Sequence, residues 1–139
     1  MPGDTAAVIT ILRRTMQEID GALAGYVRRD TVLDAMPGQG PRTVSVWLEQ
    51  DIPRKLTVSE PNESGKMLAE SNFWFVQGEL RVAQQPEDSY AFDADRIIVW
   101  TDPSLVPIVD ITPELRMQRE HDVVEQARHW LGIFGVRLP

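Results

Sequence analysis

The chain has no cysteine, so disulfide frameworks, thiolate metal centres and thiol nucleophiles are all excluded. Positive charge is also short: 14 Lys and Arg stand against 21 Asp and Glu, a formal net charge of −7. No basic cluster interrupts that balance, which disfavours phosphate backbones and anionic membrane surfaces as partners. Long apolar runs are missing too, and nothing approaches the ~20 residues a membrane-spanning helix requires. The opening stretch, Met1-Pro2-Gly3-Asp4-Thr5-Ala6-Ala7-Val8, lacks the basic segment of a secretory leader. As written, the chain is either cytoplasmic or begins after a removed leader. Aromatic residues are few, so the places where they gather carry weight.

They gather first in Met67 to Gln84. Phe73, Trp74 and Phe75 precede Gln77-Gly78, and Glu79 to Gln84 follow. Two β-favouring runs that meet at a two-residue, Gly-containing turn predict an antiparallel hairpin. Side chains alternate along a strand, so Phe73 and Phe75 share one face and Trp74 takes the other. Both faces need cover, which argues for a central strand. The rest of the chain reads as strands added to this hairpin and helices laid against it.

Asp4 or Thr5 can cap a first helix, with Val8, Ile9, Leu12, Met16, Ile19 and Leu23 at helical spacing, ending near Ala24 to Tyr26. Arg28 to Leu33 offers a short strand, and Met36 to Pro41 a loop rich in Gly and Pro. Thr43 to Gln50 alternates, with Val44, Val46 and Leu48 opposite Thr43, Ser45, Trp47 and Glu49. Lys55 to Glu60 alternates again, and Pro61 to Gly65 turns the chain. After the central hairpin, Ser89 to Asp93 carries Tyr90 and Phe92 on one face, and Arg96 to Thr101 is apolar on both. Connections this short join antiparallel neighbours, since a parallel crossover needs a dozen or more residues. Thr112-Pro113-Glu114 marks a helix start: an N-cap, Pro at the first helical position and an acid in the first turn. Val123, Val124, Ala127, Trp130, Leu131 and Phe134 line one side of its second half, while Arg116 to Asp122 reads as a polar stretch projecting past the sheet. The expectation is one α+β domain over 1–139. An antiparallel β-meander of five or six strands, within about 43–101, is flanked by an N-terminal helix (about 5–26) and a C-terminal helix (about 112–133). The commonest arrangement packs both helices on one face and leaves the other open.

Catalytic signatures are absent. Asp93 and Asp95 begin like a calcium loop, but Arg96, Ile97 and Ile98 follow where such a loop needs further oxygen ligands and Gly, so an acidic hairpin turn is expected. Glu49, Glu60, Glu70 and Glu79 alternate with apolar residues and read as outward-facing charges. Ser45, Ser59, Ser71 and Ser89 lie outside any nucleophile-elbow context. His121, Glu125 and His129, at i, i+4 and i+8 of the C-terminal helix, form the one candidate metal set. Its two His residues are eight apart, not the four of a zinc-protease helix, and a solvated polar face is the plainer explanation. No cofactor is implied. Trp47, Trp74 and Trp100 each lie opposite the aliphatic or Phe set of their own strand. Together they are candidates for an aromatic binding face, with burial in the core as the ordinary alternative.

Asn72 to Val82 and Tyr90 to Asp102 carry a resemblance. Paired strands of the form aromatic-x-Phe-x-x-Gly-x-Leu, ending in an Ile-x-Trp strand, resemble a group of uncharacterised bacterial secreted proteins and lipoproteins. Those have an N-terminal helix before the strands and a charged helix after them. Asp95 stands where that pattern has Gly. The resemblance implies export and a periplasmic or envelope-anchored location, and it implies no catalytic residue. Three functions follow as expectations. The first is a non-enzymatic binding protein of the cell envelope that meets a protein partner, or itself, through the aromatic face. The second is a small-ligand protein or enzyme with a cleft between the sheet and the C-terminal helix. The third is a dimeric structural or inhibitory module.

Overall fold

The computed structural model describes residues 2–34, 41–61 and 67–138. Helix α1 (Pro2–Ala22) passes through a 3-10 turn, Leu23–Gly25, into β1 (Val27–Leu33), β2 (Arg42–Glu49), β3 (Ile52–Pro61), β4 (Met67–Val76), β5 (Glu79–Gln84), β6 (Ser89–Asp93) and β7 (Arg96–Thr101). Helix α2 (Pro113–Ile133) follows. The strands form one 7-stranded sheet in chain order, each antiparallel to the next. The α+β class and the meander agree with the sequence, but the strand number exceeds the expected five or six. The additional strand is β1, which agrees with the short strand offered at Arg28 to Leu33 and lies outside the 43–101 span of the expected five or six. Most of its side chains are exposed and three of its residues are charged, as suits a sheet edge, so it carries little apolar alternation to read. The expected loop at Met36 to Pro41 and the turn at Pro61 to Gly65 lie almost wholly outside the described residues.

Three hairpins share one construction. Gln50-Asp51, Gln77-Gly78 and Ala94-Asp95 are two-residue turns with both φ values positive, between 51° and 80°. That is the turn whose twist matches the flanking strands. In each, the strand after the turn then carries one extra residue. Trp47 pairs with Lys55 and Leu48 with Pro53, leaving Arg54 over. Trp74 pairs with Val82 and Phe75 with Leu80, leaving Arg81 over. Ala91 pairs with Val99 and Phe92 with Ile97, leaving Ile98 over. Such a bulge shifts the inside–outside alternation by one residue.

The helices cover opposite faces, not the single face expected. Val8, Ile9, Leu12, Met16, Ile19 and Leu23 of α1 pack on Trp74, Val82, Ala91 and Val99. On the other side, Val123, Val124, Ala127 and Leu131 of α2 pack with Val44, Val46, Leu56, Val58, Phe73, Phe75, Tyr90 and Phe92. The cause is the composition of the central strands, which are apolar on both faces and demand cover on both. Asp20, near the end of α1, accepts from the Lys55 ammonium at 2.8 Å and from the Trp74 indole N–H at 2.9 Å, and so pins that helix to β3 and β4.

At α2 the start signal is realised: the Thr112 hydroxyl accepts from the Leu115 N–H and Pro113 opens the helix. Its end is a Schellman arrangement, with Val136 N–H donating to Leu131 C=O and Gly135 N–H to Gly132 C=O. Gly135, at φ +75°, occupies the left-handed position that this closure needs. The first half of α2 does not project past the sheet. Arg119 lies 4.9 Å from the centre of the Trp100 ring, and a Glu120 carboxylate oxygen accepts from the Ile97 N–H at 2.8 Å.

Candidate binding site at the β7 edge

β7 is an edge strand, and its outward backbone is partly occupied. Glu120 takes the Ile97 N–H, and the Trp100 C=O accepts from the Ile108 N–H at 3.0 Å. The segment between β7 and α2 thus folds back along the edge, with Thr101 and Pro107 in an isolated bridge. Asp102 organises the reversal, its carboxylate accepting from the N–H groups of Ser104 and Val106. An incoming strand therefore finds neither end of this edge free.

What the edge offers is apolar side chains. Ile98 is 50% exposed although it lies in the middle of a strand, because the bulge turns it out of both cores. Around it stand Ile11 of α1, Ile108 and Val109 of the connector, and Met117 of α2, all exposed. Three adjoining concavities meet at Ile98. One, about 310 Å³, lies between β7 and the connector and is walled by Val99, Trp100, Pro107, Ile108, Val109 and Ile111, with Arg116 beside them. The second, about 540 Å³, lies towards α2 and is bordered by Arg96, Arg116, Met117 and Glu120. The third, about 370 Å³, lies under α1 and is lined by Val8, Ile11, Leu12 and Val82, with Arg81 and Asp93. Arg81 is held there by Glu79 at 3.1 Å and Asp93 at 3.2 Å. Arg116 and Arg96, by contrast, pair with no carboxylate among the described residues.

The three tryptophans do not form one face. Trp47 and Trp74 lie on the α1 side, where Lys55 sits 5.8 Å from one ring centre and 5.0 Å from the other. Trp74 is buried beneath α1, and Trp47 is half-buried with Arg28 stacked 5.1 Å away. Trp100 lies on the α2 side, against Tyr90 at 5.2 Å. Simple alternation put it with the other two; the extra residue Ile98 reverses the parity between Ile97 and Trp100. Both are thereby brought onto the α2 face, with Val99 on the other. The buried indole N–H of Trp100 has no acceptor among the described residues, and Trp100 also lines the first concavity.

Next to Trp100 is a small polar network. Arg119 donates to the Tyr90 hydroxyl and to Asp88, and Tyr90 in turn donates to Asp88 at 3.3 Å. Burial pushes the Tyr90 hydroxyl up to about 12, with Arg119 opposing the rise. Ser45 donates to the Asp30 carboxylate at 2.5 Å, and Arg28 donates to the same oxygen at 2.9 Å. Both bonds hold Asp30 below the ordinary carboxylate range.

His121, Glu125 and His129 lie on the exposed face of α2 along a shallow concavity shared with Trp130. Glu125 pairs with Arg128 at 3.0 Å, and His129 stacks edge-on against Trp130 at 4.7 Å. Among the described residues no three His, Asp or Glu side chains converge as a metal-binding group. Glu49, Glu70 and Glu79 are exposed as expected, and the side chain of Glu60 lies outside the described residues. Asp93 and Asp95 flank Ala94 in an ordinary hairpin turn, paired with Arg81 and Arg128. No helix among the described residues is long and apolar enough to cross a membrane. No family model, curated protein or solved structure matches this chain.

Proposed function

We propose that the protein is a non-enzymatic binding protein of the bacterial cell envelope, and that its binding surface is the apolar band along the β7 edge. The observation that carries this reading is Ile98: a large aliphatic side chain, half exposed, at the meeting point of three concavities. Exposed apolar surface of this continuity marks an interaction site more often than chance exposure. The aromatic sheet face is the weaker surface. Trp74 and Trp100 are spent on the two cores, and Trp47 has cations near its ring.

The polar groups favour binding over catalysis. The nearest approach to a nucleophile–base pair is Ser45 with Asp30, and Asp30 is stabilised as a carboxylate, which makes it a poorer base. The envelope assignment rests on the resemblance of the two hairpins to secreted proteins and lipoproteins. Fractionation of cells carrying the full-length gene tests it, and recovery in the cytosol alone would overturn it.

The surface is tested by photo-crosslinking in cells. A photoreactive benzoylphenylalanine replaces Ile98 in one variant and Val32, exposed on β1, in another. The intact mass of the product is then read. The β7 position is expected to give one discrete adduct that the β1 position does not. An adduct of twice the chain mass would identify a second copy as occupant. Equal labelling at the two positions, or none, refutes the surface.

A further inference from the structure

We propose that the concavity between β7 and the connector binds a single-chain amphiphile with a carboxylate head, such as a medium-chain fatty acid. This rests on the β7 edge being the binding surface and names its occupant. Most of the wall is apolar, with Ile98, Val99, Pro107, Ile108 and Ile111, and Thr5 of α1 and Arg116 supply polar side chains. At about 310 Å³ the space is at the small end of ligand sites, which run from roughly 300 to 1,000 Å³. It suits one alkyl chain better than a folded or branched lipid.

Arg116 gives this space its polarity. It borders both the first concavity and the one towards α2, and its guanidinium has no carboxylate partner among the described residues. In a chain of net charge −7, Arg116 is the arginine that borders this apolar recess and, like Arg96, it pairs with no carboxylate among the described residues; a cation in that position is a place for an anion. The Trp100 ring forms part of the same wall, while its indole N–H is closed off from solvent and has no acceptor among the described residues. Glu120, which borders the adjoining concavity towards α2, accepts from the Ile97 N–H through one carboxylate oxygen. A carboxylate head beside Arg116 with its tail along Ile98 and Ile108 satisfies charge and apolar surface together.

The probes are octanoate, decanoate and decan-1-ol, each kept below its micelle or solubility limit and titrated into the full chain at pH 8. Binding is read by tryptophan fluorescence and by calorimetry. Decanoate is expected to bind with one site per chain, and octanoate more weakly. The full apolar increment is roughly four-fold per methylene, from ~0.8 kcal/mol each. Arg116→Gln should weaken decanoate about ten-fold or more, the range of a charge-assisted hydrogen bond, and leave decan-1-ol unchanged. Ile98→Asp should abolish both. Arg116 is an exposed helix residue, so its variant tests binding without threatening the fold. Absence of decanoate binding overturns the proposal, as does binding that Arg116→Gln leaves unaltered. If the Ile98 position still crosslinks in cells under either result, the surface stands and only its occupant was misassigned.

Discussion

Replacing Ala94 by glycine should stabilise the protein. The same substitution at Ala7, in helix α1, should destabilise it. Ala94 is the first residue of the β6–β7 turn and sits at φ +51°, where an L side chain crowds its own backbone. Asn and Asp tolerate this region and Gly is indifferent to it, but alanine has no compensating hydrogen bond. Relief of the left-handed conformation is worth about 1–2 kcal/mol. Against it stands the extra freedom glycine gives the unfolded chain, about 0.4–1 kcal/mol. The net expectation is a gain of roughly 0.5–1 kcal/mol, or ~2–4 °C in Tm for a chain of this size. At Ala7 the backbone is helical and only the glycine penalty remains, up to about 1 kcal/mol.

Equilibrium urea unfolding, followed by tryptophan fluorescence, measures both variants against the parent. Opposite signs at the two alanines identify backbone conformation as the cause, because the chemical change is identical. A midpoint for Ala94→Gly at or below that of the parent would refute the left-handed turn. With the turn would go the pairing that leaves Ile98 as the extra residue of β7. The proposed binding surface depends on that residue, so this simple stability measurement also bears on the proposal.

Four other outcomes are expected. Tyr90, with its folded value raised from 10.0 to about 12, keeps its proton in the native state between those values while the unfolded state loses it. Stability should therefore be intact below about pH 10 and fall by on the order of 2 kcal/mol towards pH 12. A Tyr90→Phe variant that loses stability over that window as steeply as the parent would exclude this cause. Gly135→Ala forces φ +75° on an L residue with open space around its Cβ, so the cost is backbone alone, up to about 1 kcal/mol by urea unfolding. Asp20→Ala strands the buried Trp74 indole N–H and should cost ~1–3 kcal/mol, with a smaller cost in a Trp74→Phe background, as a double-mutant cycle would read. Ser45→Ala removes the main bond that depresses Asp30, and the carboxyl titration followed by NMR should move up towards 3.8. An unmoved titration would assign the depression to Arg28.

Most of the fold was legible because its signals are local. The α1 stripe from Val8 to Leu23, the Thr112-Pro113 start of α2 and the Gln77-Gly78 turn are each encoded within a few residues, and tertiary packing did not contradict them. Short connections then allowed little except an antiparallel meander. The placement of the helices was less legible, since nothing local says which face a helix will choose. The decisive information was nevertheless present in Phe73-Trp74-Phe75. A strand that is apolar on both sides needs two covers, and two helices were available.

The site was not legible for a different reason. Reading faces by alternation assumes that every residue in a strand has a partner, and each of the three bulges breaks that assumption at one position. At Arg54 and Arg81 the error is harmless, because a charged residue is assigned to solvent in any case. At Ile98 it matters twice. It moves Trp100 from a supposed outer face into the α2 core, and it leaves an aliphatic residue half exposed in a run that reads as fully buried. A signal was available in the repetition itself. Trp47-Leu48-Glu49-Gln50-Asp51-Ile52-Pro53-Arg54, Trp74-Phe75-Val76-Gln77-Gly78-Glu79-Leu80-Arg81 and Ala91-Phe92-Asp93-Ala94-Asp95-Arg96-Ile97-Ile98 align turn on turn, with a charged residue at the bulge in the first two. The third departs from that pattern by placing isoleucine where its counterparts have arginine. A bulge residue turned towards water has no packing reason to be aliphatic, so the departure itself argues that something apolar meets Ile98.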